Sequence, residues 1–119
     1  MRIEQFEIWQ SDLSFAKGSE QQGTRPCIIL QSNAVSEYGL TTIMAPLTSR
    51  KIEKVYPYEV LVEPSYINSL KLISKIKFDQ IRVIDKKRLI KKIGVLEKKY
   101  INDVLLSMDI IFDLRGDFR

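Results

Sequence analysis

Histidine is absent from this chain of 119 residues, and cysteine occurs once, as Cys27. These two scarcities exclude a good deal of chemistry. Without histidine there is no Ser-His-Asp triad, no two-histidine ribonuclease mechanism and no Cys/His zinc site. Only carboxylates could hold a metal, and the sequence shows no carboxylate cluster, so neither metal nor cofactor is expected. Acid–base work falls to Arg, Lys, Glu, Asp, Tyr or a hydroxyl. A lone cysteine makes no internal disulfide, which fits a reducing compartment. Because Cys27 sits in the apolar run Cys27-Ile28-Ile29-Leu30, it reads as a core thiol and not as a nucleophile. No apolar run approaches the ~20 residues of a membrane helix. The opening Met1-Arg2-Ile3-Glu4-Gln5-Phe6-Glu7 has no apolar signal core, so a cytoplasmic chain without a membrane partner is expected. Linkers, repeats and low-complexity stretches are also missing, and residues 1–119 read as one domain.

What is present is ordinary globular material, 45% hydrophobic and 29% charged, with a net charge of +4. A basic balance favours anionic partners, nucleic acid first. Residues 3–13, 26–31, 41–47 and 58–63 read as strands, the last ended by Pro64. In residues 71–85 one parity carries Ser74, Ile76, Phe78, Gln80 and Arg82. The other carries Lys71, Lys75, Lys77 and Asp79. That is a twisted or bulged strand or hairpin with a lysine cluster on one face. Residues 85–92 read as a short helical turn followed by a strand. Tyr100, Ile101, Val104, Leu105, Met108, Ile111 and Phe112 recur at three and four, which predicts an amphipathic helix over residues 97–113 with Gly94 as a break before it. Strands followed by a helix give an α+β, mainly β, fold class.

Three stretches concentrate hydrogen-bonding groups. Residues 17–26, Lys-Gly-Ser-Glu-Gln-Gln-Gly-Thr-Arg-Pro, form a polar loop between two strands, with Arg25 held extended by Pro26 at its base. Thr48, Ser49, Arg50 and Lys51 follow a strand end and could contact phosphate. Asp79, Gln80 and Arg82 could read the edges of unpaired bases from alternating strand positions. Each also has a plainer reading, as a solvated loop, a strand-end turn or a half-exposed strand.

Together and in this order, Gly18-Ser19-Glu20-Gln21 with Gly23-Thr24-Arg25-Pro26, Pro46-Leu47-Thr48-Ser49, and Asp79-Gln80-Ile81-Arg82-Val83-Ile84-Asp85 resemble the three signatures of the MazF/PemK family of toxin–antitoxin endoribonucleases. The resemblance extends from about Glu4 to the final helix. It departs at Phe6-Glu7, where the family has Gly-Asp, at Phe15, where a proline is common, at Asp79, often Glu, and at Glu97, where a Ser or Thr often caps the helix. The resemblance implies a small SH3-like β-barrel of the CcdB/PemK kind with a C-terminal helix, paired as a homodimer. It implies a toxin that cuts single-stranded RNA, mRNA above all, without a metal. Arg25 and Thr48 then match the catalytic pair and Glu20 an assisting acid. Ser19, Gln21, Ser74, Asp79, Gln80 and Arg82 match the RNA groove, to which Ser49 is added from its own stretch. A MazE-like antitoxin with an acidic, disordered tail is the implied partner. Phe15, Tyr56 or Tyr58 could stack on a base. A gyrase-poisoning toxin of the CcdB kind, or an inactive RNA-binding module of the same fold, is the alternative.

Overall fold

The computed structural model describes residues 2–14, 16–20 and 23–119. Phe15 and Gln21, read above as a stacking and an RNA-contact residue, lie outside that set. Seven strands carry the chain: β1 (Glu7–Asp12), β2 (Thr24–Ile29), β3 (Thr41–Thr48), β4 (Glu59–Val62), β5 (Ser74–Lys77), β6 (Arg82–Asp85) and β7 (Leu89–Val95). Two helices are added, α1 (Asn33–Ser36) and α2 (Ile101–Phe112). All pairings are antiparallel, in the order β4-β5-β3-β2-β1-β7, with β6 also lying on β3. Among the described residues the end strands β4 and β7 do not pair, so the sheet is barrel-like and not closed.

β3 determines this shape. Its first half, Thr41 to Met44, pairs with β6, while Leu47 and Thr48 pair with β5. The change of partner falls across Ala45 and Pro46, and Pro46 has no N–H for either ladder. Two register shifts in the β1–β7 ladder, at Ile8/Trp9 and Gln10/Ser11, add bending at the other side.

A bent sheet of this kind can bury both faces. Ile8, Ile28, Ala45, Leu47, Val60, Val62, Ile76 and Phe78 form one core with Tyr100 and Val104 from the α2 end of the chain. Trp9, Leu13, Cys27, Ile29, Met44, Ile84 and Leu89 form a second on the other face. That explains why residues 27–30 are uniformly apolar: alternate side chains of β2 enter different cores. Burial pushes the Cys27 thiol up to about 11, which makes it inert near neutrality.

Several sequence expectations shift. β1 begins at Glu7 because Phe6 turns the chain with φ 70°. This is the position where the resemblance calls for glycine, and a left-handed residue with a Cβ costs about 1–2 kcal/mol. The half-buried Phe6 side chain packs against the first core and offsets part of that. β2 starts at Thr24, so Arg25 lies inside a strand and not at the foot of the loop. Residues 71–85 divide into β5, a 3-10 turn at Phe78–Gln80, and β6. Asp79 and Gln80 are therefore turn residues, not alternating strand residues. α2 starts at Ile101, after a 3-10 turn at Lys98–Tyr100. Glu97 does not cap the helix. Its carboxylate accepts from Ser65 Oγ (3.1 Å) and Asn68 Nδ2 (2.9 Å) instead.

Gly94 does not break the chain before the helix. It lies within β7, where the strand crosses the 67–68 backbone, and a Cβ there would stand 2.4 Å from the Asn68 carbonyl oxygen. Gly94→Ala is therefore expected to destabilise by about 1–3 kcal/mol or more, since neither backbone segment can yield cheaply. Urea unfolding monitored by Trp9 fluorescence would show it, and a wild-type midpoint would contradict the packing described.

Candidate active site

A groove of about 350 Å³ opens at the C-terminal end of β3, between β2, β5 and the β1–β7 edge. Its floor comes from Arg25 and Pro26 of β2 and from Leu47, Thr48 and Ser49 at the end of β3. Ser74 of β5, residues 69–72, and Gln10, Lys91 and Ile93 make the walls. The placement of Arg25 and Thr48 follows from register. The β2–β3 ladder pairs Cys27 with Pro46 and stops there. Two residues further on, past the end of that ladder, Arg25 and Thr48 both line the groove. The Arg25 backbone is held from behind, its carbonyl accepting from Ser11 Oγ at 2.7 Å. The Thr48 Oγ1 accepts from the Arg50 N–H at 3.1 Å, which leaves its hydrogen for another acceptor. The Ser74 hydroxyl donates to the Leu72 carbonyl at 2.9 Å and so ties β5 to the groove wall.

Of the residues read as functional in the sequence, Arg25, Thr48, Ser49 and Ser74 come together in this groove. Ser19, Glu20, Asp79, Gln80 and Arg82 do not join them. With Ile81 they line a second hollow of about 320 Å³. There the Glu20 carboxylate pairs with Arg82 Nη1 at 2.9 Å, and Gln80 Nε2 donates to the Ser19 carbonyl at 3.3 Å. The carboxylate matched above to an assisting acid is thus paired with Arg82, which was matched to the RNA groove. The described titratable side chains lining the first groove are all cations: Arg25, Lys71 and Lys91.

Sequence reading missed Gln10, Lys71 and Lys91. Lys91 and Lys92 are adjacent and identical in type, and the alternation of side chains along β7 separates their roles. Lys92 turns to Glu7, its Nζ 3.0 Å from Oε2, while Lys91 lines the groove. Glu7 is held below its ordinary pKa. Burial works against this, but hydrogen bonds from Trp9, the Glu4 backbone and Lys92 outweigh it.

A buried ion cluster flanks the Thr48 end. Glu59 is shut off from solvent, with Lys75 Nζ 3.1 Å from Oε1 and Lys77 Nζ 3.1 Å from Oε2. The Tyr56 N–H donates to Oε1 at 3.0 Å. The lysine face predicted from parity is therefore not a solvated one. Beside it the Tyr56 and Tyr58 rings stack at 5.5 Å, with Lys54 Nζ 4.9 Å from the Tyr56 centroid. Tyr56 is thus partly covered on the described surface. Burial alone would raise the pKa of Glu59, but the donors from Tyr56, Lys75 and Lys77 together lower it.

Comparison with known proteins fits this architecture. Residues 4–112 match the model of the PemK-like, MazF-like toxins of type II toxin–antitoxin systems. The chain belongs to that toxin family. It is 36% identical over 108 residues, 91% of this chain and 89% of the relative, to the endoribonuclease MazF of Staphylococcus saprophyticus. It is 34% identical to the endoribonuclease MazF of Staphylococcus epidermidis, covering 96% of this chain and 94% of that one. In fold it superposes on MazF from Deinococcus radiodurans with a TM-score of 0.80, at 21% identity, covering 96% of this chain and 99% of that one.

Because Glu59 has a depressed pKa in the folded state, its contribution is complete above its unfolded value near 4.5 and fades as pH falls through the lower folded value. Glu59→Gln leaves the buried Lys75 ammonium without its counter-charge and half-buried Lys77 with Asp79 alone, at 3.9 Å, and is expected to cost about 3–5 kcal/mol at pH 7. The gap from wild type should close below pH 4.5. Paired denaturation curves at pH 7 and pH 3.5 check this, and a gap independent of pH would show that the carboxylate charge is not the cause.

Proposed function

We propose that this endoribonuclease toxin cuts single-stranded RNA, chiefly mRNA, by in-line attack of the substrate's own 2′-hydroxyl, with no metal. The products are a 2′,3′-cyclic phosphate and a 5′-hydroxyl end. The observation that carries the reading is the meeting of Arg25 and Thr48, from adjacent strands, in one groove whose described charged side chains are all cationic. The nucleophile belongs to the substrate, so the enzyme's main task is to stabilise charge on the phosphoryl oxygens. Arg25 supplies a planar, permanently charged donor pair, and Thr48 a hydroxyl hydrogen. Lys71 and Lys91 contact the flanking phosphates, and Gln10, Ser49 and Ser74 edge the path.

The second hollow reads sequence. Ser19, Asp79, Gln80 and Arg82 offer hydroxyl, carboxylate, amide and guanidinium groups to the edges of unpaired bases, and Gln21 belongs to the same RNA-contact set by family resemblance. Glu20 assists as a base only after its pair with Arg82 opens, and RNA phosphate competing for Arg82 is the agent that opens it. The toxin works in the cytoplasm as a homodimer. An antitoxin with an acidic, disordered tail restrains it by lying in the same cationic groove and ordering as it binds. A solved mycobacterial endoribonuclease of this fold, with a TM-score of 0.76 at 19% identity over 94% of this chain and 96% of that one, is in complex with its cognate antitoxin. That supports a partner of this class for the present chain.

The test is incubation with a long, weakly structured RNA in excess EDTA. Wild type is expected to give discrete fragments with 5′-hydroxyl ends. Arg25→Ala and Thr48→Ala should each lose about 10²–10³-fold in kcat, the usual cost of one oxyanion donor. RNA left intact by wild type across several unrelated substrates would sink the enzymatic reading in favour of gyrase poisoning or simple binding. Lys91→Ala offers a separate measurement: affinity for an uncleavable single strand should drop, and the slope of log K against log salt should shrink by about 0.7. An unchanged slope would remove Lys91 from the phosphate path.

A further inference from the structure

A lysine placed on a small sheet normally extends its ammonium into water, and taking it inside costs several kcal/mol. Lys75 is nonetheless only 4% exposed. Its ion pair with Glu59 does not account for this, because Lys77 already meets the other Glu59 oxygen at the same distance. What distinguishes Lys75 is the rest of its hydrogen bonding. Its Nζ donates to the main-chain oxygen of Lys51 at 3.2 Å and of Lys54 at 2.9 Å. With Glu59, an ammonium that has three hydrogens has three acceptors.

Both carbonyls belong to the turn that joins β3 to β4, directly after the site. Lys51 adopts φ 54°, a conformation that a side chain resists and that its surroundings must hold. One residue earlier, the Arg50 N–H occupies an acceptor position of Thr48 Oγ1. Across the ladder, Thr48 is the register partner of Lys75 itself. Ammonium, turn carbonyls, Arg50 amide and Thr48 hydroxyl thus form one contiguous path.

We infer that Lys75 is a positioning residue for Thr48: by clamping the Lys51 and Lys54 carbonyls it keeps the Arg50 amide on Thr48 Oγ1, so that the threonine hydrogen is presented to the groove. This rests on the reading of Thr48 as a donor to the scissile phosphate. Glu59, itself paired with Lys77, holds the ammonium in place without touching the turn carbonyls. Arg25, set on β2, is independent of the clamp.

Lys75→Met keeps the apolar stem, removes the clamp and leaves Glu59 paired with Lys77. Measured on a short RNA that contains one cleavage site, kcat should fall at least about tenfold while KM stays within about threefold. In a Thr48→Ala background under single-turnover conditions, Lys75→Met should cost less than about twofold more. Fully additive losses would overturn the inference, because a general loosening of the fold adds to the loss of Thr48 while a path through Thr48 does not. A fully active Thr48→Ala variant would instead overturn the reading of Thr48 on which the inference depends. Thermal melting checks that the variant is folded. Should Lys75→Met not fold, wild type decides through amide hydrogen exchange: Arg50, though on an exposed turn, should be protected at least about a hundredfold. Exchange at the rate of an open loop would show that nothing clamps the turn.

Discussion

The divided loyalty of β3 is the constraint on which the rest of the structure depends. An eight-residue strand that pairs with β6 over its first half and β5 over its last two residues must splay its neighbours apart. Pro46 lies at the division and has no hydrogen to share, so the gap is part of the covalent chemistry of the chain and not an accident of packing. The groove lies beyond the division, where β3 ends. Arg25 and Thr48 are presented there because the β2–β3 ladder has ended two residues before them. Both are nonetheless anchored, Arg25 through its carbonyl and Thr48 through its oxygen. Rigid placement of the donors is what a charge-stabilising site requires.

Much of this was legible in the sequence, for identifiable reasons. The apolar run at residues 27–30 had to be a strand buried on both faces. The period of residues 100–112 had to be a helix. The Arg-Pro and Pro-Leu-Thr-Ser stretches marked strand ends with polar chemistry. Less legible was anything that depended on non-local register. Lys91 and Lys92 look identical until the pairing of β7 with β1 fixes which face of the strand turns to the groove and which to Glu7. The lysines of β5 looked like a wet face because their counter-charge, Glu59, arrives on a different strand. Asp79 and Gln80 kept the right types but not the strand geometry assumed for them, since Phe78 turns into the core and winds the chain into a 3-10 turn. Gly94 looked like a stop signal because sequence alone cannot show the backbone that crosses it.

The two hollows divide the electrostatics. The first gathers positive charge and no described carboxylate, which suits the crowding of negative charge at a phosphorane-like transition state. The second mixes signs, with Glu20 paired to Arg82 and Asp79 beside them, and so presents a patterned rather than a uniform surface. Strong attraction without pattern binds any strand, whereas pattern without strong attraction binds weakly. On the proposed reading, one hollow holds a single-stranded polyanion and the other sorts it.

The carboxylate of Glu97 has a wider reach than its own helix. It grips Ser65 and Asn68, and Asn68 in turn lies against β7 at Gly94 and accepts from the Leu70 N–H at 3.0 Å. Residues 69–72, which continue this segment, form a wall of the groove. The root of α2 and that wall are therefore one mechanical piece, fastened by side chains with little freedom to slide. A load applied to the helix is transmitted to the rim of the cleft, and whatever wedges the cleft open pushes back along the same lever.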